Sequence, residues 1–329
     1  SRMPPTIGHR SPGRSWSVAL DGASVPVLVG PTGIGKTAVA FALRSHWPLE
    51  VISADSRQVY RRLDIGTAKP PRRWLAQLPH HGLDQVSPGM RYSAGRFAQD
   101  APGWIATVRS HGRMPVVVGG TGLYIKALAD GLFAEPPMDS LRRRDLQRWT
   151  AELSAGELVR WAGRLDPGFR GGGRQRAARA IEVALLTGRP LGYWQAQARS
   201  AAVIQPWYVV LTVPRAVLHQ RIQARAESMV RQGMIEEVAA VLADGIQAGA
   251  PGLDAIGPRE AVEYLHGLRS RESVAGAVAL ASRHYAKRQE TWFRHQLEGP
   301  VISLDATRPP DQVAQEITER WGNASGVAG

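Results

Sequence analysis

The chain has 329 residues, 43% hydrophobic and 21% charged, enough for one large core with a smaller appended lobe and too apolar for a disordered chain. It contains no cysteine, which excludes disulfides and thiolate metal sites and removes any need for an oxidising compartment; a cytoplasmic location is expected. The formal charge of +13 would draw a polyanion such as nucleic acid, although arginine-rich composition accounts for it equally well, since only Lys36, Lys69, Lys126 and Lys287 of the 41 basic residues are lysine.

In chain order, residues 1–24 are polar and rich in Arg, Pro and Gly, and read as a disordered leader that is neither signal nor anchor. No run of about 18 apolar residues follows, so no membrane span is expected. Val25 to Val29 predicts a strand, Gly30 to Thr37 a glycine loop and Ala38 to Leu43 a helix. Leu49 to Ser53 and Pro115 to Val118 are further short apolar runs, ending in Ala54-Asp55-Ser56 and Gly119-Gly120-Thr121-Gly122. With Trp207 to Val213 and Val301 to Leu304 they have the character of buried parallel strands. Strands spaced by helices predict an α/β fold, a P-loop NTPase-like parallel sheet flanked by helices, formed by residues 25–135 and 191–305.

Between Pro136 and Pro190 strand signals stop, and Leu141 to Leu165 and Gln175 to Leu186 carry apolar residues at helical spacing among many arginines. This predicts an inserted small helical domain over 136–190, with Gly171-Gly-Gly173 as a hinge-like break. Beyond Ala216, Leu218, Ile222, Met229, Ile235, Val238 and Leu242 suit a long helix or a broken pair, terminated at Gly245. Residues 306–329 read as a C-terminal helix and tail, loose from Asn323 onward.

Gly30-Pro31-Thr32-Gly33-Ile34-Gly35-Lys36-Thr37 fits G-x-x-x-x-G-K-[ST], in which backbone N–H groups wrap a diphosphate at a helix N-terminus. Lys36 adds a point charge, and the Thr37 hydroxyl would hold a Mg²⁺ that also touches phosphate oxygens. The loop alone leaves kinases, NTPases and diphosphate-consuming transferases open. A motor-type NTPase would end an apolar strand in a metal-binding Asp, whereas Val116 to Val118 runs into Gly119-Gly120-Thr121.

Several further runs narrow the choice: Ile52-Ser-Ala-Asp-Ser-Arg-Gln-Val-Tyr60, Leu63-Asp-Ile-Gly-Thr-Ala-Lys-Pro70, Pro79-His-His-Gly-Leu-Asp84, Tyr92-Ser-Ala94, Val118-Gly-Gly-Thr-Gly-Leu-Tyr124, Ala180-Ile-Glu-Val183, Leu186-Thr-Gly188 and Tyr285-Ala-Lys-Arg-Gln-Glu-Thr-Trp-Phe-Arg294. In their order and spacing, from Pro26 to Arg294, they resemble the tRNA dimethylallyltransferase (tRNA isopentenyltransferase) family, in its bacterial, zinc-finger-free form. The resemblance implies transfer of the dimethylallyl group of dimethylallyl diphosphate to the N6 amine of adenosine 37 in the tRNA anticodon stem-loop, with Mg²⁺ as cofactor. It implies Asp55 as general base, with capping of a following helix as the alternative. It implies Lys36, Thr121 and Arg225 as stabilisers of the leaving diphosphate, with Arg221 binding it one turn earlier. A solvated basic helix face is the alternative for that arginine pair.

The same resemblance maps tRNA contacts onto Asp55, Ser56, Arg57 and Gln58, onto Gln175, Arg176, Ala177, Ala178 and Arg179, and onto the stretch Ala255 to Arg259. Gln58 would read an extruded base, and Arg142, Arg143, Arg144 and Arg148 would add a basic face to the insert, or form a plain solvated surface. Two departures from the family pattern bear on these contacts: the turn Phe169 to Arg174 is rich in glycine, and Pro258 stands where tyrosine is usual. The competing readings are an adenylate isopentenyltransferase that makes cytokinins, a small-molecule P-loop kinase, and a basic RNA-binding protein with a relic loop. A monomer is the default.

Overall fold

The computed structural model describes residues 24–131, 138–197 and 202–325. Strand β1 (Ser24–Val29) enters the glycine loop and α1 (Lys36–Leu43), and β2 (Leu49–Ala54) is followed by α2 (Arg72–Leu75) and the two-residue β3 (His80–His81). Helix α3 (Ala94–Ser110) leads to β4 (Met114–Gly119) and α4 (Gly122–Ala129). Then come α5 (Ser140–Glu152), α6 (Ala155–Leu165), α7 (Arg174–Thr187) and α8 (Leu191–Gln197), and the chain returns to the sheet with β5 (Gln205–Thr212). The last elements are α9 (Arg215–Arg231), α10 (Met234–Ala243), α11 (Pro258–Leu265), α12 (Arg271–Gln296), β6 (Val301–Asp305) and α13 (Pro310–Ser325).

The six strands form one sheet in the order β3-β2-β4-β1-β5-β6, with every pairing parallel. β1, β2 and β4 are buried on both faces because helices cover both sides, which is why they read as mostly apolar runs rather than alternations. β2, β4 and β1 are neighbours, so the turns leaving their carboxyl ends emerge side by side. Open α/β sheets collect ligands along that edge.

The five expected strands are present, with ends shifted by a residue or two. β3 has no detectable sequence signal, because two residues carry no period. Ser24 already belongs to β1, so the expected leader is one residue too long; residues 1–23 lie outside those described, as do Pro136 at the expected start of the insert and residues 326–329.

Helices α5, α6 and α7 enclose a separate small core of Leu158, Ala162, Ala177, Ala180 and Ile181. Ser154 breaks the expected helical run of 141–165: its hydroxyl accepts from the Glu157 amide while the Glu157 carboxylate accepts from the Ser154 amide, a capping box that opens α6. The lobe also continues past Pro190, since Trp194 Nε1 of α8 donates to Thr187 Oγ1 of α7 at 2.9 Å. Gly233, at φ 99°, divides α9 from α10. Helix α13 buries Val313, Ala314 and Ile317 in the main core and runs to Ser325, so Asn323 and its neighbours are helical where a loose tail was expected.

Candidate active site

The glycine loop leaves β1 at the centre of the sheet. Gly30, Gly33 and Gly35 have φ of 153°, 81° and 106°, a sequence of backbone states that only glycine adopts cheaply, and Gly35 starts α1 from a left-handed conformation. Lys36 Nζ donates to the carbonyls of Gly30 (2.8 Å) and Pro31 (3.0 Å), which holds the ammonium against the loop. Burial pushes Lys36 from its ordinary 10.5 down to about 8; Asp55 opposes the shift and Arg225 adds to it. Burial likewise pulls Arg225 down, again against the attraction of Asp55.

A cavity of about 270 Å³ opens on this loop, lined by Thr32, Gly33, Gly35, Lys36, Thr37, Asp55, Arg221, Arg225, Tyr285 and Gln289 among others. Arg221 and Arg225 both reach it, as their spacing on α9 requires. Their guanidinium groups differ in use. Arg221 donates from Nη1 to the Ile34 carbonyl and from Nη2 to the Ala306 carbonyl, both at 2.9 Å, so it braces the loop against the segment before α13 while it lines the cavity with its remaining N–H groups. Arg225 makes no hydrogen bond among the described residues and faces the cavity.

Asp55 leaves the end of β2 and Thr121 the end of β4. Asp55 Oδ1 accepts from the Arg57 amide at 2.9 Å, forming a local turn, and no helix follows for it to cap. The Thr121 amide donates to the Ala54 carbonyl (3.1 Å) and its hydroxyl accepts from the Ser56 amide (3.0 Å), locking the two turns together. Gly119 and Gly120 permit this: a side chain on Gly119 would strike the Ala54 backbone, and one on Gly120 would strike the Gln289 amide.

Three residues at the site went unassigned in the sequence reading. Gln289, buried on α12, accepts from the Thr32 amide at 2.8 Å and donates to the Gly120 carbonyl at 2.7 Å, joining the glycine loop to the β4 turn. Tyr285, one turn earlier, lines the same cavity, and its hydroxyl is pushed up by burial and by the Asp55 charge. Their i, i+4 spacing within the run quoted above signalled a shared helix face. Glu237 had no such signal: its carboxylate accepts from the amides of Asp64 (2.7 Å), Ile65 (2.8 Å) and Gly66 (2.8 Å), fixing the loop ahead of Thr67.

A second cavity, about 330 Å³, shares Thr32, Asp55, Arg225 and Tyr285 with the first. It adds Ser56, Arg57, Thr67, Arg259 and Arg288, and an apolar wall of Ile222, Ala226, Met229, Ile256 and Val278. Asp55 therefore stands between a basic phosphate-sized space and a mixed polar and apolar one. Arg57 Nη1 donates to the Pro251 carbonyl (3.2 Å), and the exposed Arg259 pairs with Glu260 (2.7 Å). Gln58 is occupied rather than free to read a base: its Nε2 donates to the Ala68 carbonyl (3.1 Å) and its Oε1 accepts from Ser53 (3.3 Å). Pro258 opens α11 at a position where its missing amide costs nothing, packed on Gly66.

On the insert, Gln175 and Arg176 are exposed and Arg179 pairs with Glu182, but Ala177 is fully buried and Ala178 packs on the same small core. The expected tRNA contacts at Ala177 and Ala178 are thus corrected to packing positions, because α7 turns that stripe inward. Of the basic run, Arg143 pairs with Glu182 and Arg148 with Asp145, while Arg142 and Arg144 are exposed. The glycine turn before α7 uses left-handed states at Gly171 and Gly172.

The donor chemistry of the first cavity fits a hard divalent cation: the Thr37 hydroxyl offers an oxygen of the kind such an ion takes, beside the space a diphosphate would fill. A glycine loop on a parallel sheet, with a lysine, an arginine and a carboxylate converging beside it and no metal-binding Asp at the end of β4, defines an enzyme of the diphosphate-handling, group-transfer class.

Residues 58–296 match the family model described as IPP transferase, and residues 23–86 match one described as isopentenyl transferase. A tRNA dimethylallyltransferase of Halorhodospira halophila is 40% identical over 307 residues, 91% of this chain and 99% of that one. That of Bordetella petrii is 38% identical over 306 residues, 90% and 98% of the two chains. A crystal structure of tRNA isopentenylpyrophosphate transferase from Bacillus halodurans superposes with a TM-score of 0.67 at 31% identity, covering 92% of this chain and 97% of that one. A eukaryotic dimethylallyltransferase acting on tRNA shares the fold, with a TM-score of 0.74 at 22% identity over 92% and 80% of the two chains. The chain belongs to the IPP transferase family, that of the tRNA dimethylallyltransferases.

Proposed function

We propose that the chain transfers the dimethylallyl group of dimethylallyl diphosphate to the exocyclic N6 amine of adenosine 37 in the anticodon stem-loop of tRNA, releasing diphosphate. The observation that carries this reading is the position of Asp55, which lines both the loop cavity and its larger neighbour. The C–O bond to diphosphate breaks and its electron pair leaves with the diphosphate. The N6 lone pair forms the new C–N bond, and Asp55 accepts the proton that the amine then sheds. Charge grows on the departing diphosphate, so the Lys36 ammonium and the unpaired Arg225 guanidinium stabilise the transition state more than the ground state. Thr121, expected to stabilise the leaving diphosphate, holds the turn that carries Asp55 through the Ser56 amide. Thr37 would hold a magnesium ion, which would supply charge neutralisation on the diphosphate.

The exposed Gln175 and Arg176 of the insert and the arginines around the second cavity suit the tRNA backbone, and a tRNA substrate puts the enzyme in the cytoplasm. Among the described residues no helix is long and apolar enough to cross a membrane. A free adenine nucleotide is the rival acceptor, favoured by the match of residues 23–86 to the isopentenyl transferase model. The test is transfer of label from dimethylallyl diphosphate, with Mg²⁺, to an unmodified anticodon stem-loop offered beside AMP and ATP. Label on the stem-loop alone supports the tRNA reading; label on a nucleotide moves the chain to the cytokinin class, and ATP turnover without label makes it a kinase.

A further inference from the structure

Beside the two cavities lies a third space, a cleft of about 670 Å³ between α9 and the segment leading into α2. Its walls include Thr37, Ile65, Pro70, Pro71, Trp74 and Leu75 on one side and Ser228 and Gln232 on the other. Arg225 borders all three spaces, and Met229 borders both the acceptor cavity and this cleft. Met229 is only 8% exposed, and its methyl end reaches across to Gly257, where an added Cβ would come within 3.2 Å of Met229 Cε. Its side chain is therefore the partition between the acceptor cavity and the cleft.

The face of α9 explains what that partition limits. Ile222, Arg225, Ala226 and Met229 follow at spacings of three and four, so they present one stripe to the cavity. A prenyl group whose diphosphate is held at Lys36 and Arg225, and whose carbon tail follows α9 toward its C-terminal end, passes Ala226 and meets Met229. Met229 stands four residues beyond Arg225, about 6 Å along the helix, which is about the length of a five-carbon prenyl group. The next isoprene unit of a longer chain would collide with the methionine, although the cleft behind it is wide and floored by Trp74, Leu75 and Ile65.

We infer that Met229 sets the prenyl chain length, admitting the five-carbon donor and excluding the ten-carbon one. The inference rests on the dimethylallyl-transfer reading above. Shortening Met229 joins the acceptor cavity to the cleft and offers the second isoprene unit of geranyl diphosphate the apolar groups of Ile65, Trp74 and Leu75, in a cleft whose lining also includes Asp64, Lys69, Arg72 and Asp84. Apolar pockets discriminate by about 10- to 200-fold for a single methylene, so a change of partition is large enough to read.

The experiment compares dimethylallyl and geranyl diphosphate as donors to the same stem-loop, for the full-length wild type, Met229→Ala, Met229→Val and Met229→Leu, each checked by thermal melting. The geranyl-to-dimethylallyl ratio of kcat/KM should rise at least about tenfold in Met229→Ala and stay near wild type in Met229→Leu. Adding Leu75→Trp to Met229→Ala refills the cleft and should return the ratio to the wild-type value, which a general loosening of the fold would not do. A rise of less than tenfold in Met229→Ala overturns the inference, with Met229→Val deciding if the alanine variant does not fold. A rise that Leu75→Trp leaves unchanged overturns it too. Failure of the wild type to prenylate the stem-loop from dimethylallyl diphosphate is a separate result, one that removes the functional reading itself.

Discussion

The free enzyme should lose affinity for its diphosphate substrate as pH rises through 8, well below the range in which an ordinary lysine titrates. Lys36 sits at about 8 because burial and the neighbouring Arg225 charge disfavour its ammonium. A bound diphosphate adds negative charge beside it and restores its pKa toward 10.5, so binding takes up a proton wherever the free enzyme has lost one. With a free pKa of about 8, roughly nine-tenths of the molecules carry the charge at pH 7 and roughly one-tenth at pH 9, which predicts a loss of about tenfold in affinity between those values. Full affinity is present below pH 8 and falls about tenfold per unit above it, until the bound form also titrates. Titration calorimetry with dimethylallyl diphosphate and Mg²⁺, at pH 7 and 9 in buffers of different ionisation enthalpy, reads both the affinity and the proton uptake. Lys36→Met removes the titrating group and should bind weakly with a flat profile. Equal affinity at both pH values with no proton uptake in the wild type would refute the account of Lys36.

Asp55→Asn should lower kcat by about a hundredfold or more while dimethylallyl diphosphate still binds, because the lost group acts on the other substrate; parallel loss of binding in calorimetry would make Asp55 a structural or metal-holding residue. Glu237→Ala leaves the amides of Asp64, Ile65 and Gly66 without their acceptor and should raise KM for the stem-loop more than it changes kcat, with Glu237→Gln intermediate. Steady-state kinetics showing a fall in kcat alone would contradict this positioning role. Burial raises the Glu50 carboxyl, but hydrogen bonds from His81 and His111 outweigh it and leave the pKa below 4.5. The stability Glu50 contributes is therefore complete above its unfolded pKa and lost as pH falls through the lower folded value. The acid limb of a plot of Tm against pH should flatten in Glu50→Gln, and an unchanged limb counts against it.

Local signals carried the sheet and the catalytic edge, and tertiary contacts hid the rest. A strand buried on both faces advertises itself as an apolar run, and the turn at its carboxyl end lies next to it in sequence, so the places of Asp55 and Thr121 beside the sheet were legible locally, while the roles expected of them came from the family resemblance. The bridge that holds those turns in register was not legible. Gln289 meets Thr32 across 257 residues, and nothing near either position announces the pairing. Ala177 is a different kind of miss: together with Ala180, Ile181 and Ala184 it follows the helical period that buries a stripe, and that period alone could have removed it from a contact surface. Arg221 and Arg225 share a helix face and both line the loop cavity, but only tertiary contacts show that two backbone carbonyls hold Arg221 in place.

The run from Leu63 to Pro70 carried much of the family resemblance, and most of its polar groups are spent inside the protein. Thr67 donates its hydroxyl to the Leu63 carbonyl, and Lys69, with only 4% of its side chain exposed, reaches the Tyr60 carbonyl and the carboxylates of Asp64 and Asp84. The amides of Asp64, Ile65 and Gly66 go to Glu237, and Gly66 itself meets Pro258. The partners from outside the run come from different parts of the chain: the turn after β2, the loop after β3, the first turn of α10 and the start of α11. A loop tied at so many points keeps one conformation, and Gly66 and Thr67 are the part of it that faces the acceptor cavity. The run thus serves the site by fixing where one wall stands, and the polar side chains left to meet a ligand are those of Asp55, Arg225 and the arginines around the cavity.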